Sequence, residues 1–395
     1  MNSLLQKIQE QARIGFENVR EIRRHLHANP ELSFEERNTS AYIQSALKEM
    51  GIPFKTGYAE HGIVAMIGNG AGKSVALRGD MDALPISEEN EVDYKSTVPG
   101  VMHACGHDVH TASVLGAAKI LKELESEWEG TVLLVFQPGE ERLPGGASVM
   151  IKEGALDNPI PESIFAQHVY PELEAGKVGF RPGMYMASAD EIRIRVIGKG
   201  GHAALPNKNV DPILIASHLI VAMQQVVSRF GDPTVPSVLS FGRIEGLGST
   251  NVIPNEVKLE GTFRTMDEKW RIEAHHQIEK LAVELVRSMG GTCDIRIDKG
   301  YPFLVNDEAL TNRAKQRAIE YLGKEQVVDL PLRMTAEDFS YFSQKYTGCF
   351  YRLGVRNESK GIVHNLHQPQ FDIDEDALLT GCGLMAWLAV SELGN

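Results

Sequence analysis

Apolar residues recur every three or four positions over residues 4–27 and again over 36–50, with charges between them, and this spacing predicts two amphipathic helices. Asn29-Pro30 stops the first and Gly51 the second. The pattern then changes to short apolar runs bounded by turn residues, at 62–67, 74–78, 131–136 and 164–168, which read as buried strands. A helical stretch over 111–124 lies among them. Strands alternating with helices predict an α/β fold with a mostly parallel sheet covered by helices on both faces.

Near Ala187 the pattern shifts. Strand 191–197, helix 211–229, strands 235–244 and 256–264, helix 267–289 and strand 292–297 follow one another. The order β-α-β-β-α-β is the split-βαβ signature of a ferredoxin-like unit. After Tyr301 come a helix at 307–322, a strand around 349–353 and a closing helix at 374–393. The expected organisation is one α/β domain in two parts, 1–186 and 299–395, interrupted by a self-contained unit at 187–298.

Composition adds limits to this picture. A chain of 395 residues exceeds what one core holds, in keeping with two units. The net charge of −13 argues against a nucleic-acid partner, because little basic surface is available to neutralise phosphates. The same charge opposes an anionic substrate, so a substrate carboxylate would need a local arginine. No stretch reads as long enough to span a membrane, and the first residues lack the apolar segment of a secretory signal. Cys105, Cys293, Cys349 and Cys382 have no paired spacing, which points to free thiols and a cytoplasmic setting.

Candidate chemistry gathers in five places. His103-Ala104-Cys105-Gly106-His107-Asp108-Val109-His110 is the densest, and Cys105 and His107 at i and i+2 can reach one transition metal from a loop at the mouth of a helix. Glu140 and Glu141 directly follow the strand at 131–136, where open α/β sheets place their sites. One of two adjacent carboxylates can bind metal while the other handles protons. His168 ends a buried strand, Asp80 and Asp82 end another, and His364 and His367 share a loop before the last helix. Each taken alone has a plainer reading, such as a cap, a solvated turn or a core histidine; their convergence at the ends of successive strands carries the weight. In the inserted unit, His202 lies in a glycine-rich bend, while Asn251 and Arg264 bracket a strand.

At these residues the chain closely resembles the co-catalytic metallopeptidase family of aminoacylases, hippurate hydrolases and carboxypeptidases, most of all its N-acyl-amino-acid and auxin-conjugate amidohydrolase branch. The matching stretches include Arg23-Arg24-His25-Leu26-His27 with Pro30-Glu31-Leu32, Arg78-Gly79-Asp80-Met81-Asp82, His103-Ala104-Cys105-Gly106-His107-Asp108 and Phe136-Gln137-Pro138-Gly139-Glu140-Glu141. Gly200-Gly201-His202-Ala203, Asn251-Val252-Ile253-Pro254, Met334-Thr335-Ala336-Glu337-Asp338-Phe339 and Leu366-His367 with Phe371 continue the match through nearly the whole chain.

The resemblance implies a two-part catalytic domain and an inserted lid or dimerisation domain. It implies two divalent metal ions (zinc, or manganese, cobalt or nickel) on Cys105, His107, Glu141, His168 and His367, the last preferred to His364 for its Leu-His-x-Pro context. Glu140 takes the family's general-base position and Asp82 that of the aspartate supporting the metal centre. His202, Asn251 and Arg264 match substrate-reaching residues, with His202 and Asn251 often supplied by the partner of a homodimer. Asp80 departs from the peptidase branches, which begin this motif with a ligand histidine; His107 takes over that role in the amidohydrolase branch. The implied activity is hydrolysis of a small-molecule N-acyl amino acid. A dipeptidase or carboxypeptidase, and a non-catalytic metal-binding protein, are the competing readings.

Overall fold

The computed structural model describes residues 2–68 and 72–394. Helices α1 (Asn2–Ala28) and α2 (Arg37–Glu49) lead into strands β1 (Phe54–Tyr58), β2 (Gly62–Gly68) and β3 (Ser74–Asp80). Helix α3 (His107–Glu123), β4 (Thr131–Gln137), β5 (Ser163–Glu174) and β6 (Val178–Phe180) follow. Next come β7 (Asp190–Ile197), α4 (Pro212–Gln225), β8 (Ser237–Glu245), β9 (Glu256–Thr265), α5 (Glu268–Ser288) and β10 (Thr292–Lys299). The chain closes with α6 (Glu308–Leu322), β11 (Val327–Asp329), β12 (Thr347–Arg356) and α7 (Ala377–Leu393).

The chain divides into two compact units. One comprises 1–183, 305–331 and 338–395; the other comprises 184–304 with 332–337. The short segment 332–337, which sequence reasoning leaves with the first unit, clusters with the second.

In the first unit, the described residues form a sheet of order β1-β2-β4-β3-β5-β12-β6-β11. Its centre, β4-β3-β5-β12, is parallel throughout, and the antiparallel pairs lie to either side of it. β3 and β4 are buried at every position, as expected of central strands covered on both faces. Ile8, Val19, Val114, Leu115, Leu134 and Trp387 belong to the continuous core that α1, α3 and α7 build on this sheet. α7 is almost wholly buried and apolar on all sides, an interior helix rather than a surface one.

In the second unit, the described residues form an antiparallel sheet of order β8-β9-β7-β10, the ferredoxin-like arrangement. Ile192, Ile194 and Val196 alternate with exposed charged residues along β7 and join Ile215, Leu219, Ala274 and Ile278 in a separate core. Pro212–Phe230 is long and apolar enough to cross a membrane by length and composition, which sequence reasoning did not anticipate. Its inner face, Ile215, Ala216, Leu219, Met223 and Val226, packs in this core, while Ile213, Leu214 and Val221 are exposed.

Candidate metal centre

Two hinge points bring the chemistry together. Gly106 caps α3 with φ +78°, and a Cβ there would lie 2.5 Å from a methyl of Val169. Only glycine lets this loop press against β5, and the approach sets Cys105 and His107 beside His168. Cys105 Sγ lies 3.5 Å from His168 Nε2. His168 sits inside β5 rather than at its end, because pairing with β12 carries the strand on to Glu174.

The second hinge is His367, a non-glycine residue with φ +62°. Such backbone is held only where its surroundings over-determine it. Here the His367 N–H donates to Ala104 O at 2.8 Å, and the ring Nε2 lies 3.3 Å from Glu141 Oε1. His364 is exposed in the same loop and belongs to none of the groups of close donor atoms among the described residues.

The five expected metal-binding side chains fall into two groups of mutually close donor atoms. Cys105, His107 and His168 form one; Cys105, Glu141 and His367 form the other, with all donor atoms in each within 4.8 Å of one another. The two groups share a vertex at Cys105. A further group joins His107 to Glu140 and Glu141.

Asp82 orients this arrangement. Its Oδ1 lies 3.1 Å from His107 Nδ1, and its Oδ2 accepts from Ser33 Oγ at 2.6 Å and from the Glu141 N–H at 2.9 Å. With Nδ1 engaged, His107 turns Nε2 into the cluster. That atom and Glu141 Oε1 are buried without a hydrogen-bond partner among the described residues. Buried polar atoms are ordinarily satisfied. Two left bare among thiol, imidazole and carboxylate donors fit a transition-metal ion.

Electrostatics point the same way. Burial pulls the His107 ring down, but Asp80, Asp82 and Glu141 outweigh it and raise its pKa to about 10. Burial, reinforced by the charges of Glu141 and Glu140, lifts the Cys105 thiol well above its ordinary value. Burial lowers His168 strongly, with Arg352 and His110 adding to the effect. The acidic pocket therefore favours cations, His107 included, and holds His168 as a neutral imidazole ready to coordinate.

Sequence reasoning missed the buried network behind the cluster. Arg78 Nη1 donates to Asp80 Oδ2 at 2.6 Å, and Asp80 Oδ1 lies 2.5 Å from His110 Nδ1. His110 Nε2 in turn accepts the Val169 N–H at 2.9 Å, which assigns the ring proton to Nδ1. The chain thus fixes the backbone beside His168. Glu140 is also held: its Oε1 accepts the Asp338 N–H at 3.2 Å, and the Asp338 carboxylate is bound by Arg78, Gln137 and the Ala147 N–H. His110 and Asp338 stood inside recognised motifs, but nothing local to them signals these long-range partners.

In the second unit, Val252 pairs directly with His202, and the Ala203 N–H donates to Asn251 O at 3.0 Å, so His202 and Asn251 lie on one short two-stranded antiparallel ribbon. Both are exposed. Arg264 lies elsewhere in the unit, partly buried, with Nη1 donating to Met334 O at 3.2 Å.

The family model for Peptidase family M20/M25/M40 matches residues 76–390. The chain belongs to this family. Among M20 relatives, the IAA-amino acid hydrolase ILR1-like 4 of Arabidopsis thaliana is 42% identical over 377 residues, covering 94% of this chain and 85% of its own. An N-acetyl-L-cysteine deacetylase of Bacillus subtilis (strain 168) is 40% identical over 359 residues, covering 91% and 84%. The crystal structure of the Bacillus subtilis YXEP protein, described as a dinuclear metal binding peptidase from the M20 family, matches with a TM-score of 0.82 at 32% identity, covering 97% of this chain and 99% of that one. This M20 chain is a metal-dependent hydrolase of the amidohydrolase and peptidase class.

Proposed function

We propose that the protein hydrolyses the amide bond of N-acyl-L-amino acids carrying acetyl, benzoyl or indolyl-type acyl groups. Cys105, His107, Glu141, His168 and His367 would hold two divalent cations, zinc or one of manganese, cobalt and nickel. The observation that carries this reading is the pair of donor groups meeting at Cys105. The relatives named as an N-acetyl-L-cysteine deacetylase and an IAA-amino acid hydrolase support acylated amino acids as the substrate class.

Once bound, a metal pair supplies Lewis acidity and makes a water acidic enough to ionise near neutral pH. Glu140 accepts the proton of the attacking water and passes it to the departing nitrogen, so the C–N bond breaks to a carboxylate and an amine. Asp82 keeps His107 in the tautomer and orientation that expose Nε2. His202 donates to the developing oxyanion, and Arg264 with Asn251 holds the amino-acid carboxylate, a local positive charge against the overall −13.

Geometry within the second unit supports sharing of the site between two copies. The ribbon carrying His202 is anchored to Asn255, beside the Glu256 end of β9, by the Gly200 N–H on Asn255 Oδ1. Arg264 lies eight residues further along β9, roughly 26 Å away at about 3.3 Å per residue. One amino-acid-sized molecule does not bridge that gap. We therefore infer a homodimer through the inserted unit, in which His202 and Asn251 serve the partner's site and Arg264 its own, with exposed Ile213, Leu214 and Val221 offering apolar contact surface. A cytoplasmic setting suits four free cysteines, one of them at the centre of the cluster.

The test is a hydrolysis panel on metal-reconstituted protein that pairs each N-acyl amino acid with the matching dipeptide. Turnover of the acyl compounds is expected. Preference for the dipeptides would reassign the protein to peptidase action, and no turnover on either set would remove the catalytic reading.

A further inference from the structure

The residues before α2 build a clasp over the turn that carries Glu140. Glu36 occupies the N-cap position of α2, where a carboxylate ordinarily accepts a backbone N–H from its own first turn. Its side chain makes no such bond. Glu31 does that work instead, accepting the N–H of Asn38 at 3.0 Å and of Thr39 at 2.8 Å. Glu36 is thereby freed to reach 103 residues along the chain, where its Oε1 accepts the Gly139 N–H at 2.7 Å.

Phe34 completes the grip. Its backbone is left-handed at φ +66°, and its ring lies so close to Gly139 that a Cβ there would stand 2.5 Å from Phe34 Cζ. Gly139 itself has φ +63°, and its carbonyl accepts the Gly146 N–H at 3.0 Å. The same loop reaches the end of β3. Ser33 Oγ donates to Asp82 Oδ2, Leu32 bridges Ala83, and the Ala83 N–H donates to Glu31 O at 2.8 Å. A helix cap surrendered, a strained phenylalanine and a glycine pressed to contact are departures from local preference, and such departures concentrate at functional sites.

Resting on the hydrolytic reading above, we propose that Glu36 is a positioning residue for Glu140: its carboxyl group and the Phe34 ring set the left-handed Gly139 turn from which Glu140 and Glu141 project. Burial, with the charge of Asp82 adding to it, pushes Glu36 up to about 8, so the group that accepts the Gly139 N–H is a neutral acid at neutral pH. A glutamine is its near-isostere and offers the same acceptor.

The experiment compares wild type, Glu36→Ala, Glu36→Gln and Glu36→Asp for kcat and KM on an N-acetyl amino acid, for bound metal, and for amide hydrogen exchange of the 137–141 segment. Glu36→Ala is expected to lower kcat by about 100-fold, the scale of a 1 Å misplacement, with KM and metal content little changed. Exchange at Gly139 should accelerate. Glu36→Gln should restore kcat to within about 3-fold of wild type and restore the protection. Should Glu36→Ala not fold, Glu36→Asp, one methylene short of Gly139, carries the same expectation. Equal impairment of the Gln and Ala variants overturns the proposal, as does a wild-type Gly139 amide that exchanges as fast as exposed amides. A wild type inactive on every substrate would sink the hydrolytic reading instead, and the exchange measurements would still decide whether Glu36 fixes the turn.

Discussion

Asp82 Oδ2 accepts the backbone N–H of Glu141 at 2.9 Å, so a side chain just past the end of β3 fixes the main chain just beyond β4. The same carboxylate orients His107 through its other oxygen. Burial raises its pKa, but hydrogen bonding and charge from His107 outweigh burial, and Asp82 stays ionised. Asp82→Asn keeps the shape and removes the charge. Metal affinity is expected to fall by roughly 10–100-fold, the range for groups that orient metal-binding histidines, as measured by competition with a chromogenic chelator. Unchanged affinity would show that Asp82 does not support the centre.

Glu140→Gln preserves a hydrogen-bond acceptor for the Asp338 N–H but cannot take up a proton. Turnover should drop by about 100-fold or more while bound metal stays at the wild-type level. Retained turnover in a metal-replete variant would exclude Glu140 as the base.

The separation of the ribbon carrying His202 from Arg264 along β9 makes a mixing experiment decisive. Glu140→Gln and His202→Ala proteins, each inactive alone, should regain activity when co-assembled, because one of the two composite sites is then intact in every heterodimer. Heterodimers demonstrated by differential tagging but lacking activity would show that His202 acts within its own chain.

Glu36 also has a thermodynamic signature. Its ordinary pKa is 4.5 and its folded value is about 8, so between these limits the folded protein keeps a proton that the unfolded chain releases. The contribution of this group to stability is full below pH 4.5 and is lost as pH rises toward 8, at up to about 1.4 kcal/mol per pH unit. Glu36→Gln removes the linkage. Its stability relative to wild type should therefore climb from pH 5 to pH 8 in urea unfolding of the metal-free proteins. A constant difference across that range would mean that Glu36 is ionised in the fold.

Much of this was legible in the sequence for physical reasons. β3 and β4 lie in the middle of a sheet and must be apolar on both faces, which leaves unbroken runs in the sequence. The charged and apolar alternation of β7 betrays a sheet with one solvated face. Cys105, His107, Glu140 and Glu141 announce themselves by residue type at strand and helix ends. Other features are set by register between distant segments and leave no local mark. His110 meets Asp80 because α3 lies against β3, His168 falls within its strand because β12 extends the pairing, and Glu36 resembles a plain helix cap until Gly139 is placed beside it. The exposed apolar face of α4 was hidden by a pattern that reads simply as helix.

A sulfur atom common to both donor groups ties their fates together. Burial and two neighbouring glutamates keep a proton on Cys105, and a cation bound there would have to displace it. A second cation sharing that sulfur would meet a thiolate already formed, and because the His107 ring also holds a proton, metal uptake should release acid and depend strongly on external pH.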